Sequence, residues 1–153
     1  MGVVASEKGL HMVVLPYDSI KNVKKELEGH YIELIRNDDS LKDISLRIIE
    51  YFSGKEVDFN IKMDFDGSTD FELKVWDAVM GIPRGEVRSY EWISKHIGFP
   101  KKVRAVGQAL SRNRLPVVIP CHRVVKKYGD IGGFSRGVNM KRLLLKLEGY
   151  LIC

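Results

Sequence analysis

The sequence has few of the residues that cross-link a chain and no run that could span a membrane. It contains only two cysteines, Cys121 and Cys153, which form no CxxC pair. Neither a disulfide scaffold nor a zinc-ligand spacing is therefore predicted, and we expect no structural metal. No apolar run reaches the roughly 18 residues of a membrane helix, and the N-terminus lacks the pattern of a signal peptide. We expect a protein of a reducing compartment, cytoplasmic or, in a eukaryote, nuclear.

The charge of the chain is unevenly distributed. The 153 residues are enough for one ordinary domain or two small ones, and 44% hydrophobic with 29% charged residues is a globular composition. Residues 1–83 hold sixteen acidic side chains against ten Lys and Arg, whereas residues 84–127 hold eleven Lys and Arg against two acidic side chains. Clustered Lys and Arg are typical of proteins that bind a polyanion such as DNA, although a solvated basic face gives the same pattern.

The first half of the chain predicts a small mixed domain. Apolar runs predict strands at His11–Leu15 and Tyr31–Ile35, separated by stretches rich in Lys and Glu. Helical spacing of apolar residues predicts a helix over Leu41–Phe52, and alternation predicts a half-buried strand over Val57–Phe65. We place a domain boundary near Gly67, where Asp-Gly turn chemistry follows.

The second half predicts helices, two of which form a helix-turn-helix. Thr69 and Glu72 have capping-box spacing ahead of a helix over about residues 71–80. Further helices are predicted at Tyr90–Ile97, which Gly98 ends, at Val103–Arg112, and at residues 138–148. A short helix, a glycine turn and a second helix with a basic outer face have the order of a DNA-binding helix-turn-helix.

The helix at residues 103–112 carries small residues at Ala105, Gly107 and Ala109. A smooth helix can dock into a minor groove with one long probe, Arg104, and small residues serve equally well for tight packing of two helices. Both interpretations stay open at this point. Four polar side chains lie on the face opposite the apolar one, namely Arg104, Gln108, Ser111 and Arg112.

The run Leu115–Val125 is apolar, and we expect it to form a strand between Pro116 and Pro120 that leads into a cysteine. His122 and Arg123 follow Cys121 and provide positive charge that lowers a thiol pKa, which favours a nucleophile over an inert buried cysteine. Neighbouring side chains of an extended chain point apart, so a relay through water is expected between Cys121 and His122.

Glu148 is a candidate third member of this group. It lies in the last turn of the predicted helix at residues 138–148, where the helix dipole disfavours a carboxylate. A functional role explains that position, and so does an ordinary exposed helix end.

These residues carry a resemblance to a known family. The segment Val103-Arg104-Ala105-Val106-Gly107, with Asn113, Pro116 and the string Pro120-Cys121-His122-Arg123-Val124, resembles the active-site signature of the O6-alkylguanine-DNA alkyltransferases. The similarity runs from about Phe71 to Gly149, whereas the first 67 residues match only in the order of their strands and helix.

The resemblance implies an α/β N-terminal domain of ribonuclease-H-like type, a small sheet plus helix, over residues 1–67. A mostly α DNA-binding and alkyl-acceptor domain with the helix-turn-helix then covers residues 68–153. The implied activity is repair of double-stranded DNA by irreversible transfer of the alkyl group from O6-alkylguanine to Cys121. It is a single-turnover methyltransferase reaction with base flipping and without a cofactor. O4-alkylthymine is a further implied substrate, and we expect a monomer.

The resemblance also implies a role for each site residue. Cys121 is the nucleophile, His122 is its base through a water, Glu148 orients His122, and Asn113 fixes the loop before the active site. Tyr90 donates a proton or hydrogen bond to guanine, and Arg104 enters the stack in place of the flipped nucleotide. The backbone carbonyls of Cys121 and Val124, with Ser135, line the base pocket. The implied DNA or substrate contacts are completed by Ala105, Gln108, Ser111, Arg112 and Arg123.

Three positions depart from the family pattern. Arg114 stands where a proline is frequent, Phe134 where a tyrosine is frequent, and Arg136 where a glycine is frequent. All three are expected around the substrate pocket, so they bear on which alkyl groups are accepted.

Two other classes of protein share some of these features. In a helix-turn-helix regulator, Cys121 would be structural or redox-sensing, and only self-alkylation of a reactive thiol separates this class from the transferase. A cysteine peptidase is disfavoured because its cysteine and histidine usually come from distant parts of the chain.

Overall fold

The computed structural model describes residues 1–15, 20–31 and 33–151. The chain divides into two compact units. The first comprises Met1–Phe65 together with Arg114–Pro116, and the second comprises Asp66–Asn113 together with Val117–Cys153. Cys153 itself lies outside the described residues.

The first unit is built on a β-hairpin. Strand β1 (Gly2–Ser6) pairs antiparallel with β2 (Gly9–Val14), and the register shifts between Val4 and Ala5. Two helices follow, α1 (Ile20–His30) and α2 (Lys42–Phe52). Alternation along β2 directs Met12 and Val14 to one face, where they pack with Val23 of α1 in a small core. The predicted strand at His11–Leu15 and the predicted helix at Leu41–Phe52 are thereby confirmed.

The predicted strand at Val57–Phe65 is wrong. Only Met63 makes a bridge, to Leu10, through the hydrogen bonds Leu10 N to Lys62 O (2.9 Å) and Asp64 N to Leu10 O (2.7 Å). A tight turn in which Ile61 N donates to Phe59 O interrupts the extended run. The close approach at Lys62 requires a glycine, since a Cβ on Gly9, which has φ +142°, would lie 2.5 Å from Lys62 O.

One further prediction for this unit fails, and one helix was not predicted. The described residues of Tyr31–Ile35 form no strand, and Ile32 lies outside the described residues. The stretch rich in Lys and Glu, for which no element was predicted, contains α1. Its apolar stripe is narrow and only Val23 is buried, which is why polar composition concealed the helix.

The second unit is helical. Its first helix, α3 (Asp70–Met80), starts with the predicted capping box: Glu72 N donates to Thr69 Oγ1, and Thr69 N donates to Glu72 Oε2. Helices α4 (Tyr90–His96) and α5 (Val103–Ser111) form the predicted helix-turn-helix, and α6 (Val138–Leu147) is the last helix of the described residues. Trp76 of α3 donates from its indole nitrogen to Ala109 O of α5 at 3.0 Å. Ala109 therefore serves helix packing.

The predicted strand between Pro116 and Pro120 is wrong. Val117 has φ +77°, a left-handed conformation that is rare for a β-branched residue, so the chain turns instead of extending. A 3₁₀-helix covers Cys121–Arg123, and only β4 (Val124–Val125) is a strand, paired parallel with β3 (Arg88–Ser89). Two prolines that cannot donate hydrogen bonds prevent a regular ladder.

Within residues 1–15, 20–31 and 33–151, no helix combines the length and the apolar character that a membrane crossing needs.

Candidate active site

Cys121 begins the 3₁₀-helix and is buried, with 6% of its surface exposed. The side-chain amide of Asn113 donates to Cys121 Sγ at 3.1 Å and to Ile119 O at 3.0 Å. Asn113 thus closes the turn that contains the left-handed Val117 and contacts the thiol directly. Burial raises the pKa of Cys121, and the Asn113 hydrogen bond opposes that shift because it stabilises the thiolate.

His122, Glu148 and Arg123 form a buried charged group. His122 Nε2 lies 2.9 Å from Glu148 Oε1, and neither side chain is exposed. Arg123 donates to both carboxylate oxygens of Glu148, from Nε at 2.9 Å and from Nη2 at 2.8 Å. Burial lowers the pKa of His122, and the hydrogen bond with Glu148 works against that shift. Two hydrogen bonds from the guanidinium fix the position of the carboxylate, so Glu148 can hold the imidazole in one orientation.

The end of α6 is fixed from the other side by a turn that contains Arg84 and Gly85. Glu148 is the C-terminal cap of α6, and Arg84 donates to the preceding carbonyl, Leu147 O, at 2.7 Å. Gly85 has φ +78°, and a Cβ there would lie 3.0 Å from Glu148 O. The turn therefore needs glycine to approach the helix end this closely. The dipole penalty on Glu148 is offset by Arg123.

A cavity of about 260 Å³ opens beside Cys121. Tyr90, the first residue of α4, lines it, and burial raises the pKa of Tyr90, which keeps the phenol protonated at neutral pH. Its other lining residues are Gly107, Leu110, Ser111, Gly133, Phe134 and Ser135. The cavity is smaller than the roughly 300–1,000 Å³ of most small-molecule sites, as suits a flat ring of the size of one nucleobase.

Helix α5 separates a buried face from an exposed one. Val106, Ala109 and Leu110 are buried. The predicted polar face, Arg104, Gln108, Ser111 and Arg112, is exposed, and Ala105 is half-buried beside it. Arg112 pairs with Glu72 at 3.0 Å. Arg104, Ala105 and Gln108 also line a shallow surface depression of about 700 Å³ with Lys101, Lys102 and Val103.

All five predicted catalytic residues lie in the second unit: Cys121, His122, Glu148, Asn113 and Tyr90. Ser135 lines the cavity as expected. Arg123 and Val124 have other contacts than the prediction gave them. The guanidinium of Arg123 binds Glu148 and Ile82 O, and the carbonyl of Val124 accepts a hydrogen bond from Lys141 at 2.6 Å.

Lys141 is a residue that the sequence prediction missed. It lies on α6 with 1% of its surface exposed, and burial lowers its pKa to about 8. The spacing of Met140, Leu143, Leu144 and Leu147 in the sequence predicts an apolar face through these residues, but Leu143 is 45% exposed. The buried face instead contains Lys141, Leu144, Leu145 and Glu148, which have the spacing i, i+3, i+4 and i+7. The sequence signal that could have identified Lys141 was its position on the same helix face as a second charged residue, Glu148.

Among the residues that the structure describes, no three His, Cys, Asp or Glu side chains cluster so that they could hold a metal ion.

Both parts of the chain match known protein families. Residues 70–150 match the family described as 6-O-methylguanine DNA methyltransferase, DNA binding domain, and residues 2–65 match its ribonuclease-like domain. A methylated-DNA–protein-cysteine methyltransferase of Methanosarcina acetivorans is 39% identical over 137 residues, which cover 88% of this chain and 85% of that protein. One from Methanosarcina barkeri is 40% identical and covers 94% of this chain and 86% of that protein.

Similar solved structures support the same family assignment. The Mycobacterium tuberculosis OGT in complex with DNA superposes with a TM-score of 0.77 at 33% identity, covering 95% of this chain and 84% of that chain. A Methanococcus jannaschii O6-methylguanine DNA methyltransferase gives a TM-score of 0.70 at 29% identity, covering 99% of this chain and 89% of that chain. A small ribonuclease-like N-terminal domain followed by a helical DNA-binding domain is therefore the fold of the chain.

Proposed function

Because this chain belongs to the 6-O-methylguanine DNA methyltransferase family, we propose that it repairs double-stranded DNA by moving the alkyl group of O6-alkylguanine irreversibly onto its own Cys121. The observation that carries this assignment is the contact of Asn113 with Cys121 Sγ beside a base-sized cavity lined by Tyr90. O4-alkylthymine, which also carries its alkyl group on an exocyclic oxygen, is a second substrate in this proposal.

Activation of the thiol starts from Asn113 and His122. The Asn113 amide donates to sulfur and stabilises the thiolate. His122 takes the thiol proton through a water at Nδ1, because its Nε2 is engaged with Glu148. Glu148 fixes the tautomer and stabilises the imidazolium that forms. Arg123 is a positioning residue in this scheme, since it acts on the histidine only through Glu148.

Transfer then occurs at a saturated carbon, for which a polarisable thiolate is a suitable nucleophile. The bond between sulfur and the alkyl carbon forms as the bond from that carbon to O6 breaks, and the electron pair stays on guanine. Tyr90, kept protonated by burial, donates a hydrogen bond or its proton to the departing base. In the net reaction the alkyl group moves to sulfur and the thiol proton ends on guanine. A thioether is not hydrolysed, so each molecule reacts once and no cofactor is needed.

The lesion must leave the base stack to reach the cavity. Extrusion costs on the order of a few kcal/mol, which contacts within the pocket and a replacement in the stack offset. Arg104 projects from the exposed face of α5 and is the side chain proposed to enter the stack. Ala105 and the polar face of Gln108, Ser111 and Arg112 provide the surface for the minor groove and its phosphates. Ser135 and the backbone of Cys121 contact the base, whereas the carbonyl of Val124 is engaged by Lys141.

We also propose the division into functional domains at 1–67 and 68–153. The protein acts as a monomer in the cytoplasm, or in the nucleus of a eukaryote.

The proposal is tested by transfer of an isotopically labelled methyl group from O6-methylguanine in a duplex to the wild-type protein, Cys121→Ala and Cys153→Ala. Label should appear on the peptide that contains Cys121 in the wild type and in Cys153→Ala, and on no peptide of Cys121→Ala. Label on Cys153, or none on the wild type, would contradict the proposal.

A further inference from the structure

Lys141 is a buried charge that the alkyl transfer scheme above leaves without a role. It lies on α6, and its ammonium donates to Val124 O at 2.6 Å and to Gly133 O at 3.2 Å. Lysine is among the residues least often buried, because removing an ammonium from water is costly. Two carbonyl groups compensate part of that cost. The position therefore calls for an explanation beyond packing.

The two carbonyls belong to the two segments between which the substrate cavity lies. Val124 begins β4 directly after the 3₁₀-helix of Cys121, and Gly133 lines the cavity itself. The neighbouring Gly132 lies against the phenol, since a Cβ on it would be 3.6 Å from Tyr90 Oη. Lys141 thus ties the segment that carries the nucleophile to the cavity wall that contacts Tyr90.

The groups that face Lys141 set its charge. Its Nζ lies 5.9 Å from the centre of the Tyr90 ring. The pKa of Lys141 is lowered to about 8, chiefly by burial and also by the charge of Lys126, while Cys121 and Asp130 oppose this shift. Burial raises the pKa of Cys121, and the ammonium of Lys141 and the charge of Arg136 oppose that rise. Burial lowers the pKa of His122, and the ammonium adds to that shift. A positive charge beside the thiol favours the thiolate over the neutral thiol.

We propose that Lys141 is a positioning residue whose hydrogen bonds hold the cavity wall and whose charge promotes thiolate formation at Cys121. The inference rests on the proposed alkyl transfer. The two contributions are separable, because a neutral amine still donates to the two carbonyls but no longer attracts the thiolate. The thiolate charge disappears once the thioether has formed, so this attraction acts before transfer and does not stabilise the product.

The decisive experiment compares single-turnover methyl transfer by the wild type and Lys141→Met between pH 7 and pH 9.5, at DNA concentrations that saturate both proteins. At pH 7 the wild type should be faster by about tenfold, equivalent to one pKa unit of the thiol. The ratio should fall towards one as the pH passes about 8 and Lys141 loses its proton. The dissociation constant for DNA should be unchanged.

Lys146→Met is the matched control, since it removes an exposed lysine from the same helix. It should react like the wild type at every pH. Lys141→Arg keeps the charge and should retain a fast rate up to higher pH than the wild type. A wild-type to Lys141→Met ratio that stays constant with pH, or that equals one at pH 7, would overturn the charge role.

Alkylation of Cys121 by iodoacetamide, followed by peptide mass without DNA, separates this inference from the proposed function. The ratio of the wild-type labelling rate to that of Lys141→Met is expected to depend on pH in the same way as the ratio for methyl transfer. If methyl transfer fails for the wild type but the ratio appears with iodoacetamide, the repair function is wrong and the role of Lys141 stands. If Lys141→Met fails to fold, the pH dependence of iodoacetamide labelling of the wild type is the test. A labelling rate that keeps rising tenfold per pH unit from pH 7 to pH 9 would overturn the inference.

Discussion

His122 and Glu148 lie 2.9 Å apart, from Nε2 to Oε1, and both side chains are shielded from solvent. The carboxylate is held in turn by two hydrogen bonds from Arg123. Burying a carboxylate together with two cationic or potentially cationic neighbours costs desolvation free energy, and removing one of the partners destabilises the protein. The arrangement therefore couples the stability of the second unit to the orientation of the proposed base.

Glu148→Gln keeps the shape of the side chain and removes its charge. We expect single-turnover methyl transfer to slow by about 100-fold, because the imidazolium loses its stabiliser. The free energy of unfolding should fall by about 3–5 kcal/mol, because Arg123 stays buried without its counter-charge. Kinetics and urea denaturation measure the two effects. Glu50→Gln removes an exposed carboxylate paired with Lys55 and should change stability by about 1 kcal/mol or less. Equal effects of the two substitutions would refute the coupling.

Arg104→Ala should slow repair of the lesion in duplex DNA far more than reaction with the free modified base, because the free base needs no extrusion. Lys101→Ala is a suitable control, since Lys101 is an exposed cation in the same surface depression. It should weaken DNA binding in a salt-dependent way without a selective loss on the duplex. Equal slowing of both substrates by Arg104→Ala would show that Arg104 does not replace the flipped nucleotide.

Arg136 is expected to restrict bulky alkyl groups. It follows Ser135 of the cavity lining, and its charge opposes the rise that burial causes in the pKa of Cys121. A benzyl group needs apolar surface to bury against, whereas a methyl group needs little, so a guanidinium there should slow the reaction with free benzylguanine. Arg136→Gly should restore that reaction, measured by loss of benzylguanine over time. Comparable rates of methyl and benzyl transfer in the wild type would contradict the idea.

Arg114 was expected beside the same pocket, but its guanidinium lies 3.0 Å from His11 Nε2 in the first unit, and its carbonyl accepts from Val13 N. The prediction for benzylguanine is therefore confined to Arg136. Arg114→Ala should leave the ratio of benzyl to methyl transfer unchanged, and a shift in that ratio would return Arg114 to the specificity argument.

Lys141 also predicts how stability varies with pH. Its pKa falls from 10.5 in the unfolded chain to about 8 in the folded protein, so between these values the unfolded chain binds more protons. The free energy of unfolding should consequently rise with pH across this window, by about 3 kcal/mol relative to Lys141→Met. Urea denaturation at pH 7.5 and pH 10 of both proteins measures the difference. An identical pH dependence of the two would show that Lys141 is not perturbed.

The helices of the second unit were predictable because local signals determine them. The capping box at Thr69 and Glu72 and the glycine after α4 act within a few residues. The turn before Cys121 was not predictable, because it depends on the hydrogen bond from Asn113 to Ile119 and on a left-handed Val117. An apolar run between prolines resembles a strand when only its composition is considered.

The residues of the site were largely predictable from the sequence, whereas the contacts between them were less so. Motif residues identified Cys121, His122 and Glu148, but spacing alone could not show that Arg123 turns inwards to Glu148. Lys141 was missed because the apolar residues of α6 suggested a face shifted by one position. Its burial follows from carbonyl groups distant in sequence, at Val124 and Gly133.

Cys121→Ala should abolish methyl transfer and leave the affinity for lesion-containing duplex nearly unchanged, because the thiol is not part of the face of α5 that we propose to contact the DNA. Fluorescence anisotropy of a labelled duplex measures the dissociation constant. Loss of both methyl transfer and DNA affinity would show that Cys121 is chiefly a structural residue.

Intact-protein mass after incubation with an excess of duplex containing O6-methylguanine tests the central claim most directly. The account predicts a plateau at one added methyl group per protein molecule, located on the peptide with Cys121, and no further loss of lesion once the plateau is reached. Continued turnover of lesion without a mass increase, or a methyl group located elsewhere in the chain, would contradict it.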